Sequence, residues 1–447
     1  MDGLIQDIFI LDDHQQPKFS SSLMRILFCC VTTLFWLFIS LTCLPLFVMG
    51  LFIWGMPPMI PTWPSYSRYF IAAFTEGKPE ENIPITNRVL VFLMVLGSLI
   101  KIPIHGVCWY IDELIYSSYH KVKIKKPVFM VTAPRSGSSQ LQNYLQDDTM
   151  NFIAPTLAEG IIPYIWVWKL FTSALIKLGL QNYFYNTSLF GTEATKRHHV
   201  AILESETWDG ILRSWYFGLC NFCLGSSFMC WGYSFARLRQ PMNEDIIRSF
   251  MMFTDCVMKK VMYYRGKPKQ RMLLKGHFVV NARNIERKYP HAKFLAVVRN
   301  PVDRLSSFVN LMKLVAEDTK TNNGLFPATW RVIRDYVVHT QVPYCIQEMS
   351  FYKEPADNKL VIPFTMYVNN LSATLQRIYS FCDIPISDDV ISNAVRIQHT
   401  THDYTRRRAS YDPKFNKSLA SLGVEEEKLK DYLNEYIEWM NKVENNN

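Results

Sequence analysis

The sequence is poor in charge. Asp, Glu, Lys and Arg make up 19% of its 447 residues, against 49% hydrophobic and 14% aromatic residues. That balance excludes a disordered or fibrous chain and allows a large core. The ten cysteines lack the regular spacing of a disulfide framework, and the length rules out a small stapled scaffold. No internal repeat is present, which excludes a solenoid or a propeller. The nucleotide-hydrolase signature Gly-x-x-x-x-Gly-Lys-Ser/Thr is missing where a phosphate loop would stand.

What charge there is leans one way. The formal balance is +9, and Arg271–Lys313 holds nine Lys or Arg against two acids. Such a local excess points to an anionic ligand and not to a diffuse basic coat. From Ile26 to Trp54 no charge occurs. A bilayer core needs about 20 such residues, so a transmembrane helix is expected, with Pro45 kinking it or turning it into a shallow hairpin. A cleaved signal peptide fits poorly, because Asp2, Asp7, Asp12 and Asp13 precede the run. A second apolar run, Val89–Ile100, is too short to span unless it continues past Lys101 and His105 to Ile111; an interfacial or core helix is the other reading. With one span, Lys18 and Arg25 on the N-terminal side put the bulk of the chain in the lumen of an endomembrane such as the Golgi. With two, Lys121, Lys123, Lys125 and Lys126 return it to the cytosol. The one-span, lumenal reading is preferred. The sequons at Asn186, Asn370 and Asn416 discriminate nothing.

After Lys126 the pattern changes to short β-branched strands followed by amphipathic helices, the alternation of a parallel sheet covered on both faces. Strands are expected at Val128–Thr132, Met272–Leu274, Phe294–Val298 and Leu360–Phe364. Helices should follow from about Ser139, over Asn281–Tyr289, over Asp303–Val315 and over Ser372–Cys382. Between the first and second units lies an aromatic-rich stretch with helical periodicity and no clear strand, a natural substrate-binding region. The expected organisation is an N-terminal tail (1–25), a transmembrane segment (26–54) and a linker with a second short apolar helix (55–126). A catalytic domain (127–424) follows, with a helical insertion at 151–265, and then a C-terminal helix and tail (425–447). The helix is read at Glu425–Val443.

Three segments carry the chemistry. The strand ending at Thr132 runs into Ala133-Pro134-Arg135-Ser136-Gly137-Ser138-Ser139. Small residues there let backbone N–H groups converge on an oxyanion, hydroxyls add donors, the helix N-terminus adds partial positive charge, and Arg135 supplies a cation. An ordinary strand-to-helix turn has similar composition. Lys275-Gly276-His277 closes a second strand, and Arg299-Asn300-Pro301 with Ser306 and Ser307 follows a third. In a parallel sheet all three open at the carboxyl edge.

These residues resemble the sulfotransferases that use 3′-phosphoadenosine 5′-phosphosulfate (PAPS). Arg135-Ser136-Gly137-Ser138-Ser139 is similar to their 5′-phosphosulfate loop, Arg299 with Ser307 to their 3′-phosphate motif, and Lys275-Gly276-His277 to the Lys-x-His of the cytosolic branch. The Leu360–Phe364 strand, the helix after it and Ile384-Pro385 follow the family's order, over roughly Pro127 to the C-terminus. The resemblance implies a P-loop-like parallel α/β sheet flanked by helices and transfer of a sulfuryl group to a hydroxyl or amine without a metal. It implies that Arg135 and the N–H groups of Ser136, Gly137, Ser138 and Ser139 hold the 5′-phosphosulfate, Lys275 meets the leaving oxygen, and Arg299 and Ser307 hold the 3′-phosphate. His277 would be the base.

The sequence departs from that pattern in places. Gln140 stands where the cytosolic branch has Trp, and Arg406-Arg407-Arg408 echoes the family's Arg-Lys-Gly only loosely. His198-His199 with Glu204, Glu206 and Asp209 resembles the acidic and histidine cluster of another branch and is a rival source of the base. Cys220, Cys223 and Cys230 lack a fourth zinc ligand and read as packed thiols or a lumenal disulfide. The expected partners are the lipid bilayer and a hydroxyl-bearing lipid, carbohydrate or protein, and not nucleic acid. A P-loop kinase or NTPase and a silent membrane scaffold are the alternatives.

Overall fold

The computed structural model describes residues 19–58, 70–71, 74–75, 85–187, 200–208, 244–277, 279–317, 333–334, 337–354, 356–408 and 419–445. Its centre is a five-stranded sheet in the order β2-β3-β1-β4-β5 with every pairing parallel. In chain order the layer before the sheet is α1 (Phe19–Trp54), α2 (Ile85–Ile100) and α3 (Ile102–Tyr116). Next come β1 (Val128–Val131), α4 (Ser138–Asp147), β2 (Phe152–Ile153), α5 (Leu157–Ile161), α6 (Ile165–Leu178), α7 (Gln181–Asn186) and α8 (Glu244–Arg265). The second half holds β3 (Arg271–Gly276), α9 (Ala282–Lys288), β4 (Lys293–Val298), α10 (Pro301–Glu317), α11 (Val342–Tyr352) and β5 (Lys359–Pro363). It closes with α12 (Phe364–Asn369), α13 (Leu371–Phe381), α14 (Asp388–Arg408), α15 (Glu426–Tyr432) and α16 (Asn434–Asn445).

The strands are continuous apolar runs because both faces are covered. Alternation sends Phe129, Val131, Leu274 and Phe294 to one side, against α8, α11 and α16. Val128, Met130, Leu273 and Leu295 go to the other, against α4 and α13. The expected strands and helices fall within a few residues of those found. Two expectations are corrected. Among the described residues the insertion holds one strand, β2, whose two residues are too few to show a period. The expected C-terminal helix is two helices that break at Leu433. Of the two readings of the second apolar run, the structure has the shorter: the helix ends at Ile100, and α3 begins at Ile102 with Pro103 in its first turn. Among the described residues one helix is long and apolar enough to cross a membrane, over Ile26–Trp54. Pro45 lies inside it, and the helix runs on to Trp54 without turning back.

Helix α3 joins that helix to the rest of the protein. On one side the Tyr110 ring packs on Phe47 and Trp54, and its hydroxyl donates to the Gly55 carbonyl at 2.9 Å. Gly106 permits this approach, since a Cβ there would stand 2.2 Å from the Phe47 ring. On the other side Asp112 accepts the first N–H groups of α6, from Ile165 at 2.8 Å and Trp166 at 3.2 Å, and pairs with Lys260 of α8 at 2.9 Å. Both charged side chains are fully buried, and the Lys260 ammonium lies 3.4 Å from the centre of the Trp109 ring. Removing one partner of such a pair would strand a charge in the interior.

His105 completes the junction as a neutral imidazole. Its Nε2–H donates to the Pro58 carbonyl at 3.0 Å, so Nδ1 is the atom that accepts from the Tyr164 hydroxyl at 2.6 Å. Burial, with Lys260 nearby, pushes its pKa down from 6.5 to about 3. The unfolded chain therefore takes up this proton first as pH falls. The stability His105 contributes is complete above pH 6.5 and declines toward pH 3, by about 1.4 kcal/mol per pH unit. A His105→Asn protein should show a shallower acid dependence of its thermal midpoint in detergent between these limits; an unchanged slope would contradict the assignment.

Candidate functional site

The carboxyl ends of β1, β3 and β4 form one rim, because β1 pairs in parallel with both of the others. The connections leave β1 toward β3 and β2 and leave β4 toward β5. Such a reversal opens a crevice between adjacent strand ends, the usual ligand position in open α/β sheets.

The loop after β1 is shaped by two left-handed residues, Arg135 at φ 65° and Gly137 at φ 93°. Alternating backbone hands turn successive N–H groups toward one concavity and suit an anion. Gly137 has a second constraint: a Cβ there would lie 2.8 Å from the Phe364 ring. Ser136 and Ser138 are buried, while Arg135, Gly137 and Ser139 are partly open. The loop is tied down from below. The Thr132 hydroxyl donates to the Val297 carbonyl of β4 at 2.8 Å and so accepts from Ser136 Oγ, 3.1 Å away. The Ala133 N–H donates to Glu348 Oε1 at 2.7 Å, and Tyr436 of α16 donates to Glu348 Oε2 at 2.9 Å. Burial pushes the Glu348 carboxyl up, and the buried Arg304 nearby pulls it down.

The other predicted residues gather around this loop. Arg135 Nε donates to Ser307 Oγ at 3.1 Å, and Arg299 Nη1 donates to the Arg135 carbonyl at 3.3 Å. The Arg299 guanidinium lies 4.6 Å from the centre of the Phe364 ring, so this ring stands beside both Arg299 and Gly137. Asn300 caps α10 by accepting from the Val302 N–H at 3.0 Å, with Pro301 beginning the helix. Lys275, almost wholly buried, donates to Ser139 Oγ at 2.7 Å and stands 3.8 Å from Glu206 Oε1. His277 Nδ1 lies 2.7 Å from the Thr132 carbonyl. A carbonyl only accepts, so Nδ1 carries the proton and Nε2 the lone pair.

Arg135, Ser136, Gly137, Ser138, Ser139, Lys275, His277, Arg299 and Ser307 are thus brought to one edge. Of the rival cluster, Glu206 reaches it beside Lys275, on a segment fixed by backbone bonds from Leu157 and Ala158 and by buried Trp208. His198, His199 and Asp209 lie outside the described residues, as do Cys220, Cys223 and Cys230. Arg406–Arg408 end α14, with side chains outside the described set. Among the described residues no group of three or more His, Cys, Asp or Glu is placed to hold a metal ion. Sequence reasoning missed Glu348, Tyr436 and Phe364. Glu348 lies 215 positions from Ala133, and nothing local marks it. Phe364 sits at the end of the expected strand, and its position there was the available signal.

Comparisons with known proteins bear on the family and the fold. The model of the sulfotransferase family matches residues 235–389, a stretch that holds Lys275, His277, Arg299 and Ser307. Over that stretch the chain is similar to the sulfotransferases. Its fold is that of the sulfotransferase STF9 from Mycobacterium avium, at 13% identity and a TM-score of 0.56 over 88% of this chain and 95% of that one. STF1 from Mycobacterium tuberculosis H37Rv is similar at 16% identity and a TM-score of 0.53, over 87% and 97%. No curated protein matches in sequence.

Gly137→Ala should cost about 2 kcal/mol, from the left-handed backbone and the ring it meets. Adding Phe364→Ala should recover part of that loss in thermal unfolding. Additive destabilisation by the two changes would refute the contact.

Proposed function

We propose that this sulfotransferase uses PAPS as donor and transfers its sulfuryl group to a hydroxyl or amine. The observation that carries the reading is the contact of Arg135 with Ser307 and Arg299 across adjacent strand ends. Two cationic groups there can serve the two ends of one nucleotide with separate 5′ and 3′ anions. The N–H groups of Ser136, Gly137, Ser138 and Ser139 would hold the 5′-phosphosulfate with Arg135, and Arg299 with Ser307 would hold the 3′-phosphate.

In the transfer the acceptor oxygen forms a bond to sulfur as the bond from sulfur to the bridging phosphate oxygen breaks. The acceptor proton passes to the base. Lys275, held by Ser139 at 2.7 Å, would meet the negative charge that grows on the leaving oxygen. With Nδ1 engaged by the Thr132 carbonyl, His277 offers Nε2 as acceptor of that proton. Glu206, 3.8 Å from Lys275, is the second candidate base. These roles need no metal, since positioning and charge account for them.

The apolar span Ile26–Trp54 would anchor the enzyme in a membrane. Lys18 and Arg25 on its N-terminal side favour a lumenal catalytic unit, as in the Golgi. The aromatic insertion and the anchor suit a lipid, carbohydrate or protein acceptor met at the membrane.

Labelled sulfate transfer from PAPS into a total membrane extract tests the reaction. Arg135→Ala should lower kcat by roughly 100- to 1,000-fold. Arg299→Ala should instead raise the KM for PAPS and reduce the advantage of PAPS over a donor without the 3′-phosphate. Turnover with ATP and Mg²⁺ but not with PAPS would show a nucleotide kinase, and nucleotide binding without transfer a silent scaffold. For the base, His277→Ala should cost about 100-fold or more while Glu206→Gln costs less; the reverse order would assign the proton to Glu206.

A further inference from the structure

The apolar surface does not end with α1. On α6, Leu170, Ile176 and Leu178 are 63%, 60% and 68% exposed, and on α7 Tyr183 is 61% exposed. At the end of α3 nearest to them Leu114 and Ile115 are also open. Exposed apolar side chains in this number on neighbouring helices are unusual on a surface that meets only water. Two lysines stand among these residues: Lys169, whose ammonium lies 4.6 Å from the centre of the Tyr116 ring, and Lys177 in the last turn of α6. Long basic side chains beside exposed leucines are the composition of a helix that lies in a headgroup layer.

The position of α6 gives the cluster its occupant. The apolar span of α1 ends at Trp54, stacked on Tyr110 with centroids 5.5 Å apart. Aromatic side chains of this kind gather at the level of the headgroups. Helix α6 is tied to the same level of α3. Asp112, two residues beyond Tyr110, takes its first N–H groups, and Trp166 Nε1 donates to the Cys108 carbonyl at 3.2 Å. Helix α6 thus starts where α1 leaves the apolar layer. At its end the left-handed Gly179 redirects the chain into α7.

We propose that α6 and α7 form a shelf that lies in the headgroup layer of the bilayer crossed by α1. This rests on the reading of α1 as a membrane anchor and adds a second, peripheral contact. Together the two contacts fix the tilt of the catalytic unit, and the insertion is held against the lipid surface.

The test uses the full chain in nanodiscs of phosphatidylcholine and phosphatidylserine with a phosphatidylcholine that carries a photoactivatable diazirine on its acyl chain. Label sites are read by mass spectrometry. Label is expected in 26–54 and in 165–186, and not in α15, which serves as the control. An Ile176→Asp, Leu178→Asp double variant should lose label in 165–186 by about tenfold while the label in 26–54 is unchanged. Label confined to 26–54 overturns the shelf and leaves the anchor standing. Absence of label from 26–54 overturns the anchor and the shelf with it. No label in 165–186 in discs that hold two copies of the chain means that a second copy covers the surface, which also overturns the proposal. If the double variant does not fold, the pattern on the unaltered chain decides.

Discussion

The parallel pairing of β1 with β3 on one side and β4 on the other is the constraint on which the site depends. Arg135 and Arg299 are 164 positions apart, and Ser139 and Lys275 are 136 apart, yet each pair is in hydrogen-bond contact. Nothing in the chain near these residues holds them together. The ladder does, because parallel strands in register end at the same edge. Each strand is buried on both faces, so a slip of one residue would exchange the two apolar faces and expose neither to advantage. The site therefore inherits its precision from the core.

A second requirement is local. Left-handed backbone at Arg135 costs about 1–2 kcal/mol, and such strain persists where the surroundings over-determine it. Here the surroundings are polar and buried. Thr132 is bonded to β4, Ala133 to Glu348, and Glu348 to Tyr436 at the end of the chain. Arg304, on the helix that carries Ser307, donates to the Gln341 carbonyl, and its charge only partly offsets the burial that raises the Glu348 carboxyl. The anion loop is thus supported by buried hydrogen bonds in a low-dielectric interior, where they are strong when complete and costly when broken.

The same logic joins the N-terminal helices to the rest. The stretch before the sheet is integrated by α3, with apolar and aromatic contacts to α1 and a fully buried ion pair to α8. An ion pair of this sort adds little net stability over an apolar one, but it specifies a single arrangement at a fixed register. That arrangement couples the orientation of the apolar helix to the position of α6.

The sequence by itself determined the strands, the helices after them, the apolar span and the residues of the three loops, since these depend on local periodicity and on runs of small or charged residues. It did not reveal β2, whose pairing is made by β3 and not by its own two residues. Nor did it mark Glu348 as the partner of the anion loop, or Phe364 as the ring beside Gly137 and Arg299. Only the tertiary structure decided these. Each rests on contacts between segments far apart in the chain, and neither spacing nor composition encodes a contact whose two halves are brought together only by the packed core.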